Sequence, residues 1–366
     1  MNTKLLNKRW KKILAGSTMA VTIVVGGLVL FLSVNSLGSL APYKDSNSKE
    51  FLMEKKKVMI GGMEQGLFIV GENPENPVLL FLHGGPGNPE YAMSKESFAE
   101  LEKMYTVCYW DQRGAGMSYT DLEKNPVDLD QMVEDTLEVT EYLKERFGQE
   151  KIYLMGHSWG SFLGMKTVQK QPENYQAYIG IGQVVNQKES EKIAYEFMLE
   201  NANKTKDTKA IQALENETPK TSNFPSTEYI MSTRSELLNK FGGGNAHKDG
   251  RKMLEQSYQN LLFFKGYTIS EKIDFLKGVQ GSLNHLFNYT LAEDLNKTAA
   301  NVSVPVYILQ GKYDYVTSYK LVQNYYEKLE APKKDIFVFD SSAHQPHNEE
   351  NEKFNQILKE IKLDNP

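Results

Sequence analysis

The chain of 366 residues reads as an α/β domain, a mostly parallel sheet with helices on both faces, carrying an inserted helical cap and an N-terminal transmembrane helix. Three observations predict this. From Phe51 onward, short apolar runs alternate with longer amphipathic ones, the pattern of strands feeding crossover helices. Between Asn186 and about Ala300 the strand signals stop, while helical apolar spacing continues. Ile13 to Leu32 is a run of 20 residues with no charge, long enough to span a bilayer core as a helix.

At the start of the chain, Lys4, Lys8, Arg9, Lys11 and Lys12 precede the apolar run and no acid does. Basic flanks of this kind stay in the cytoplasm. The expectation is a basic tail at 1–12, a membrane anchor at 13–32, a polar tether at 33–50, and a catalytic body held outside the cytoplasm at the cell membrane. The alternative is secretion after cleavage at Ser39-Leu40-Ala41, which fits a small-x-small pattern. Beyond residue 44 the chain holds 36 basic against 47 acidic residues, and an acidic body argues against nucleic acid as a partner. The single Cys108 excludes a disulfide framework and a Cys-rich zinc site.

The body divides into 51–185, a cap at 186–300, and 301–366. Val58-Met59-Ile60 and Leu67 to Val70, around Gly61-Gly62, predict an opening hairpin. Val78 to Leu82 is a strand buried on both faces. Thr106 to Trp110 is the next strand, and Leu129 to Phe147 is an amphipathic helix stopped by Gly148. Ile152 to Met155, Tyr178 to Ile181, Val304 to Gln310 and Ile336 to Phe339 supply further strands. Helices are expected at Phe162 to Gln169, Ser318 to Leu329 and Glu350 to Ile361.

Chemistry in an open parallel sheet gathers at the carboxyl ends of its strands. Gly156-His157-Ser158-Trp159-Gly160-Ser161 lies at such an end and runs into a helix. The flanking glycines relieve crowding at a sharp turn that exposes the serine hydroxyl, and the Trp159 N–H opens the helix. A serine nucleophile needs a base and an acid that orients the base. Asp314 and His344 follow the last two strands, in the order Ser, Asp, His. His347 is the runner-up base; His344 and His347 lack a third ligand at metal-binding spacing. His157 reads as packed, and His247 and His285 as cap residues. His83-Gly84-Gly85-Pro86-Gly87 can turn backbone N–H groups toward a developing oxyanion. Asp111 and Arg113 read as a structural pair in a glycine-rich turn.

Together HGGPG at 83–87, WDQRGAGMS at 110–118, GHSWGS at 156–161, GKYD at 311–314 and AHQPH at 343–347 resemble the proline iminopeptidase family of α/β-hydrolases. The resemblance covers roughly Lys57 to the C-terminus and is weakest in the cap. It implies Ser158 as nucleophile, Asp314 and His344 as its partners, and the N–H groups of Gly85 and Trp159 as the oxyanion hole. It implies release of an N-terminal residue, often proline, from short peptides, with neither metal nor cofactor, the free amine being held by cap carboxylates. Glu196 is the cap residue put forward for that task, with a solvated helix glutamate as the alternative. His157 stands where glycine is common in the family. Two other readings remain: hydrolysis of esters, lactones or small amides without amine recognition, and a non-catalytic surface protein on a hydrolase fold.

Overall fold

The computed structural model describes residues 27, 30, 31, 33–40, 51–246 and 250–365. Eight strands form one mixed sheet in the order β1-β2-β4-β3-β5-β6-β7-β8. They are β1 (Leu52–Ile60), β2 (Met63–Gly71), β3 (Val78–Leu82), β4 (Thr106–Asp111), β5 (Ile152–His157), β6 (Tyr175–Ile181), β7 (Val306–Gly311) and β8 (Lys334–Phe339). β1 with β2 and β2 with β4 are antiparallel, and every other neighbouring pair is parallel.

The continuous apolar strands are explained by cores on both faces of the sheet. Leu80 and Leu82 of β3, with Leu154 of β5, pack with the helices Leu129–Phe147 and Trp159–Lys170. Leu79, Phe81 and Met155 point the other way, toward Phe98 and the C-terminal helix Asn351–Asp364. A strand alternates its side chains, so only a strand covered twice is apolar at every position. The helix Leu129–Phe147 has the bounds its apolar spacing predicts. Asp128 caps its start by accepting from the Gln131 N–H (2.8 Å), and Gly148 ends it at φ 62°. Cys108 is fully buried, and burial pushes its thiol far above the usual range, so it is inert packing.

Between β6 and β7 the chain leaves the sheet for a helical cap. Its main helices are Gln187–Thr205, Thr208–Glu215, Ser235–Phe241, Gly250–Phe263 and Ile269–Ala292. A separate small core in the cap includes Met198, Leu214, Tyr229 and Leu238, whereas Leu261 of Gly250–Phe263 packs into the core on one face of the sheet. The last helix carries a capping box, Thr268 with Glu271. Gly278 of that helix rests on the sheet side, where a Cβ would lie 2.5 Å from the Gly114 carbonyl oxygen.

The expected transmembrane helix, and the membrane partner and cell-membrane location drawn from it, require correction. Among the described residues no helix is long and apolar enough to cross a membrane. Most of 13–32 lies outside the described residues, as does the tail at 1–12. The described end of the run packs on the body. Phe31 meets Phe263 edge-on at 5.3 Å, the Gly38 N–H donates to Lys265 O (2.9 Å), and Leu37 forms a β-bridge with Thr268. Lys272 Nζ donates to Asn35 O (2.6 Å). Apolar length alone does not distinguish a span from a segment that settles against a protein surface.

Candidate active site

The ends of four strands, β3, β5, β7 and β8, and one insertion build the site. Ser158 sits between β5 and the helix Trp159–Lys170 at φ 53°, ψ −119°, a backbone conformation that few non-glycine residues adopt. It is held there by its own N–H, which donates to Ile181 O (2.9 Å), and by Ser161, whose N–H (2.8 Å) and Oγ (2.6 Å) both donate to Ser158 O. The sharp turn explains the glycines around it. A Cβ at Gly160 would lie 2.0 Å from the Leu82 carbonyl oxygen, and one at Gly156 would lie 2.2 Å from Gly160 O. These are backbone atoms and cannot step aside. Gly160→Ala is therefore expected to destabilise the fold by about 1–3 kcal/mol or more, as overpacking does. Thermal denaturation followed by circular dichroism checks this, and an unchanged melting temperature contradicts the close approach.

Asp314 and His344 meet at 2.9 Å, Nδ1 to Oδ2, with the aspartate fully enclosed. Asp314 also accepts from the N–H groups of Val316 (2.8 Å) and Thr317 (2.9 Å), from Thr317 Oγ1 (2.7 Å) and from Gln310 Nε2 (2.8 Å). Burial works to raise its pKa, but His344 and these donors outweigh burial and hold the carboxyl below the usual range. His344 moves down as well. Burial is the main cause, opposed by Asp314 and reinforced by the nearby charges of His157 and Arg234. At neutral pH the ring is uncharged, donates Nδ1–H to Asp314 and keeps Nε2 as an acceptor. Ser158 and His344 converge on the end of β6. Ile181 holds the serine backbone, and a Cβ on Gly182 would lie 3.0 Å from the His344 ring.

The third loop, His83 to Gly87, is locked by hydrogen bonds. His83 Nε2 accepts the Gln112 N–H (3.1 Å), Gln112 Nε2 donates to His83 O (3.0 Å), and Trp159 Nε1 donates to Gln112 Oε1 (3.0 Å). Burial lowers the His83 pKa to about 4, so this histidine is a neutral strut. Gly85 takes φ 112°, where a Cβ would lie 2.8 Å from the Gly87 nitrogen. Trp159 is the first residue of its helix, so its N–H has no intrahelical acceptor. Gly85, Ser158 and Trp159 line one small cavity of ≈ 50 Å³, closed from the cap by Ile230, Arg234 and Phe287 among others.

Arg113 departs from its expected partner. It pairs with the buried Asp135 (Nε to Oδ2, 2.6 Å) and donates to Gly61 O (2.7 Å). Asp111 accepts instead from the Met117 N–H and the Tyr267 hydroxyl, both at 2.8 Å, and burial raises its pKa to about 7. Glu196 is exposed on its helix and is not brought to the cavity. One helical turn and a half earlier, Glu191 is fully buried and contacts Arg234 at 2.8 Å. Burial pushes the Glu191 carboxyl up, and Arg234 opposes that push. Neither Glu191 nor Arg234 carries a motif, and on its helix Glu191 shares the buried face with the polar Gln187 and Ser190, so hydrophobic spacing does not single it out.

Among the described residues, Glu90, His157 and His347 form the acid–histidine group compact enough to be weighed as a metal centre. Its geometry is wrong for one. His157 Nδ1 lies 2.6 Å from Glu90 Oε1, a hydrogen bond, whereas two donors on one tetrahedral zinc stand roughly 3.3 Å apart. The group is a hydrogen-bonded cluster. His347 belongs to it, its Nε2 3.5 Å from Glu90 Oε2 and its ring stacked on Phe98 (5.6 Å), but that carboxylate is already engaged by His157 and the Gly84 N–H.

Comparison with known proteins agrees with this architecture. A family described as the alpha/beta hydrolase fold matches residues 77–350. The chain is 33% identical over 316 residues to the probable aminopeptidase YbaC of Bacillus subtilis (strain 168), covering 85% of this chain and 96% of that one. It is 25% identical over 300 residues to the proline iminopeptidase of Clostridioides difficile (strain 630), covering 80% and 92%. Among solved structures, the proline iminopeptidase-related protein from Thermus thermophilus superposes with a TM-score of 0.58 at 22% identity, over 84% of this chain and 96% of that one. At that identity the likeness is one of fold.

Proposed function

The chain belongs to the α/β-hydrolase family, alongside proline iminopeptidases and the probable aminopeptidase YbaC, and we propose that it is a serine aminopeptidase releasing an N-terminal residue of the proline type from short peptides. The observation that carries this reading is the buried Asp314–His344 pair set against the same strand end that holds Ser158 in its strained turn. In this reading the Ser158 hydroxyl attacks the scissile carbonyl while His344 Nε2 takes its proton, the hydrogen bond between them forming as substrate binds. Negative charge then develops on the carbonyl oxygen, where the N–H groups of Gly85 and Trp159 receive it. One such donor is worth about 3–4 kcal/mol of transition-state stabilisation. His344 returns the proton to the leaving amine, and water attacks the acyl-enzyme through the same base. Asp314 stays ionised and fixes the tautomer.

One observation favours a second reading. The charged residue lining the cavity above Ser158 is Arg234, and the buried Glu191 behind it is already paired. A wall of that kind also suits an ester or amide without a free amine. Hydrolysis of a proline arylamide, its N-acetylated form and a short-chain ester separates the two. The aminopeptidase reading expects turnover of the free-amine arylamide and a loss of at least a hundredfold on acetylation. Equal turnover of both arylamides, or of the ester alone, refutes amine recognition and leaves the serine mechanism to be judged on its own variants.

A further inference from the structure

We infer that His157 is a positioning residue that works as an imidazolium, clamping the loop of His344 to a carboxylate that also holds the oxyanion loop. The inference rests on the serine-hydrolase reading of the site. His157 Nδ1 lies 2.6 Å from Glu90 Oε1, and its Nε2 lies 3.0 Å from the main-chain oxygen of His344. With Glu90 ionised at neutral pH, its pKa drawn down to about 2, both partners accept and neither can donate. The ring fills both contacts only when both nitrogens carry protons; a neutral ring must give one up. The same Glu90 oxygen accepts the Gly84 N–H at 2.9 Å, next to Gly85. One buried carboxylate and one buried imidazolium thus join the loop after β3, the serine turn and the His344 loop.

The surroundings support a charged ring. Glu90 is buried, yet His157 outweighs burial and draws its pKa down to about 2. Burial works against the charge on His157, but Glu90 and the His344 carbonyl prevail and its pKa moves up. The other titratable groups facing the ring leave it as the one cation in the cluster. His347 lies 4.9 Å away, ring to ring, and burial takes its pKa down to about 3. His344, also 4.9 Å away, is neutral, with Asp314 beyond it, and His83 beside Glu90 is neutral. The cation acts twice on the base. It fixes the His344 backbone, and its charge disfavours a second proton on the His344 ring, so the base stays competent to lower pH.

Two measurements test this on the full chain. The first is the pH profile of kcat/KM on whichever substrate the enzyme turns over. The wild type is expected to fall on the acid side as His344 protonates and on the alkaline side as His157 loses its proton. In His157→Gln, which cannot titrate, the alkaline fall should vanish, the acid limb should move to higher pH, and kcat should drop roughly ten- to hundredfold with KM little changed, the equivalent of one charge-assisted hydrogen bond. In Glu90→Gln, without the counter-charge, the alkaline limb should move to lower pH. An alkaline limb unchanged in both variants overturns the inference. The second measurement needs no activity and so separates this inference from the reading it rests on. Nitrogen-15 spectra of histidine-labelled wild type at pH 8 should show an imidazolium, because His83, His344 and His347 around the ring are held neutral by burial. Its absence overturns the inference even if the variants prove inactive or unfolded.

Discussion

Replacing Ser158 by alanine is expected to lower kcat by about 10⁵- to 10⁶-fold, the loss seen when a nucleophile that acts with its base as a unit is removed. The fold should be unaffected. Among the described residues the Ser158 hydroxyl makes no hydrogen bond, and the contacts that hold the turn run through the Ser158 N–H and carbonyl, which alanine keeps. The measurement is steady-state hydrolysis with a parallel thermal melt, joined to labelling by a serine-directed phosphonate. Wild type should be labelled at residue 158 and the variant not at all. Turnover within tenfold of wild type, at equal folded fraction, would remove Ser158 from the mechanism. Absence of labelling in wild type would favour a non-catalytic role for the fold.

The second large effect is expected at Asp314. Asparagine has the same shape, but its amide presents one acceptor oxygen where five donors now converge: two N–H groups, the Thr317 hydroxyl, the Gln310 amide and His344 Nδ1–H. The amide NH₂ must then face a donor, or the imidazole must turn to the tautomer that leaves no base toward Ser158. Asp314→Asn should therefore lower kcat by about 10⁴-fold, as in other triads that lose this carboxylate. Stability should fall too, because a buried donor left unpaired costs about 1–3 kcal/mol. The loss should be mainly in kcat, since Asp314 lies behind His344 and outside the cavity above Ser158. A variant within tenfold of wild type at neutral pH would show that His344 needs no orienting acid.

Much of this was legible from the residues. The glycines of 156–161 mark a turn that only they permit, and the apolar period gives the bounds of Leu129–Phe147. The order of Ser158, Asp314 and His344 along the strand ends identifies the candidate triad before any coordinate is known. These are local matters, because backbone sterics, side-chain periodicity and strand-end position act within a few residues. The helical cap was legible as a class of structure but not in its detail. Glu196 and Glu191 lie on one helix only five positions apart, and the 3.6-residue turn sends the first to solvent and the second into the cap core.

What the sequence by itself determined is the α/β sheet and the serine turn, because each follows from rules that operate along a short window of chain; it also nominated the candidate triad, and it misled on the N-terminal apolar run. What only the tertiary structure decided is which distant groups share a charge. Arg113 chooses Asp135 over its neighbour Asp111, Arg234 covers Glu191, the end of the apolar N-terminal run rests on Phe263, and Glu90 reaches His157 across 67 positions. Such pairings are settled by burial. A charged or apolar group taken from water must find a partner within a few ångströms, and the packed chain fixes which one stands there.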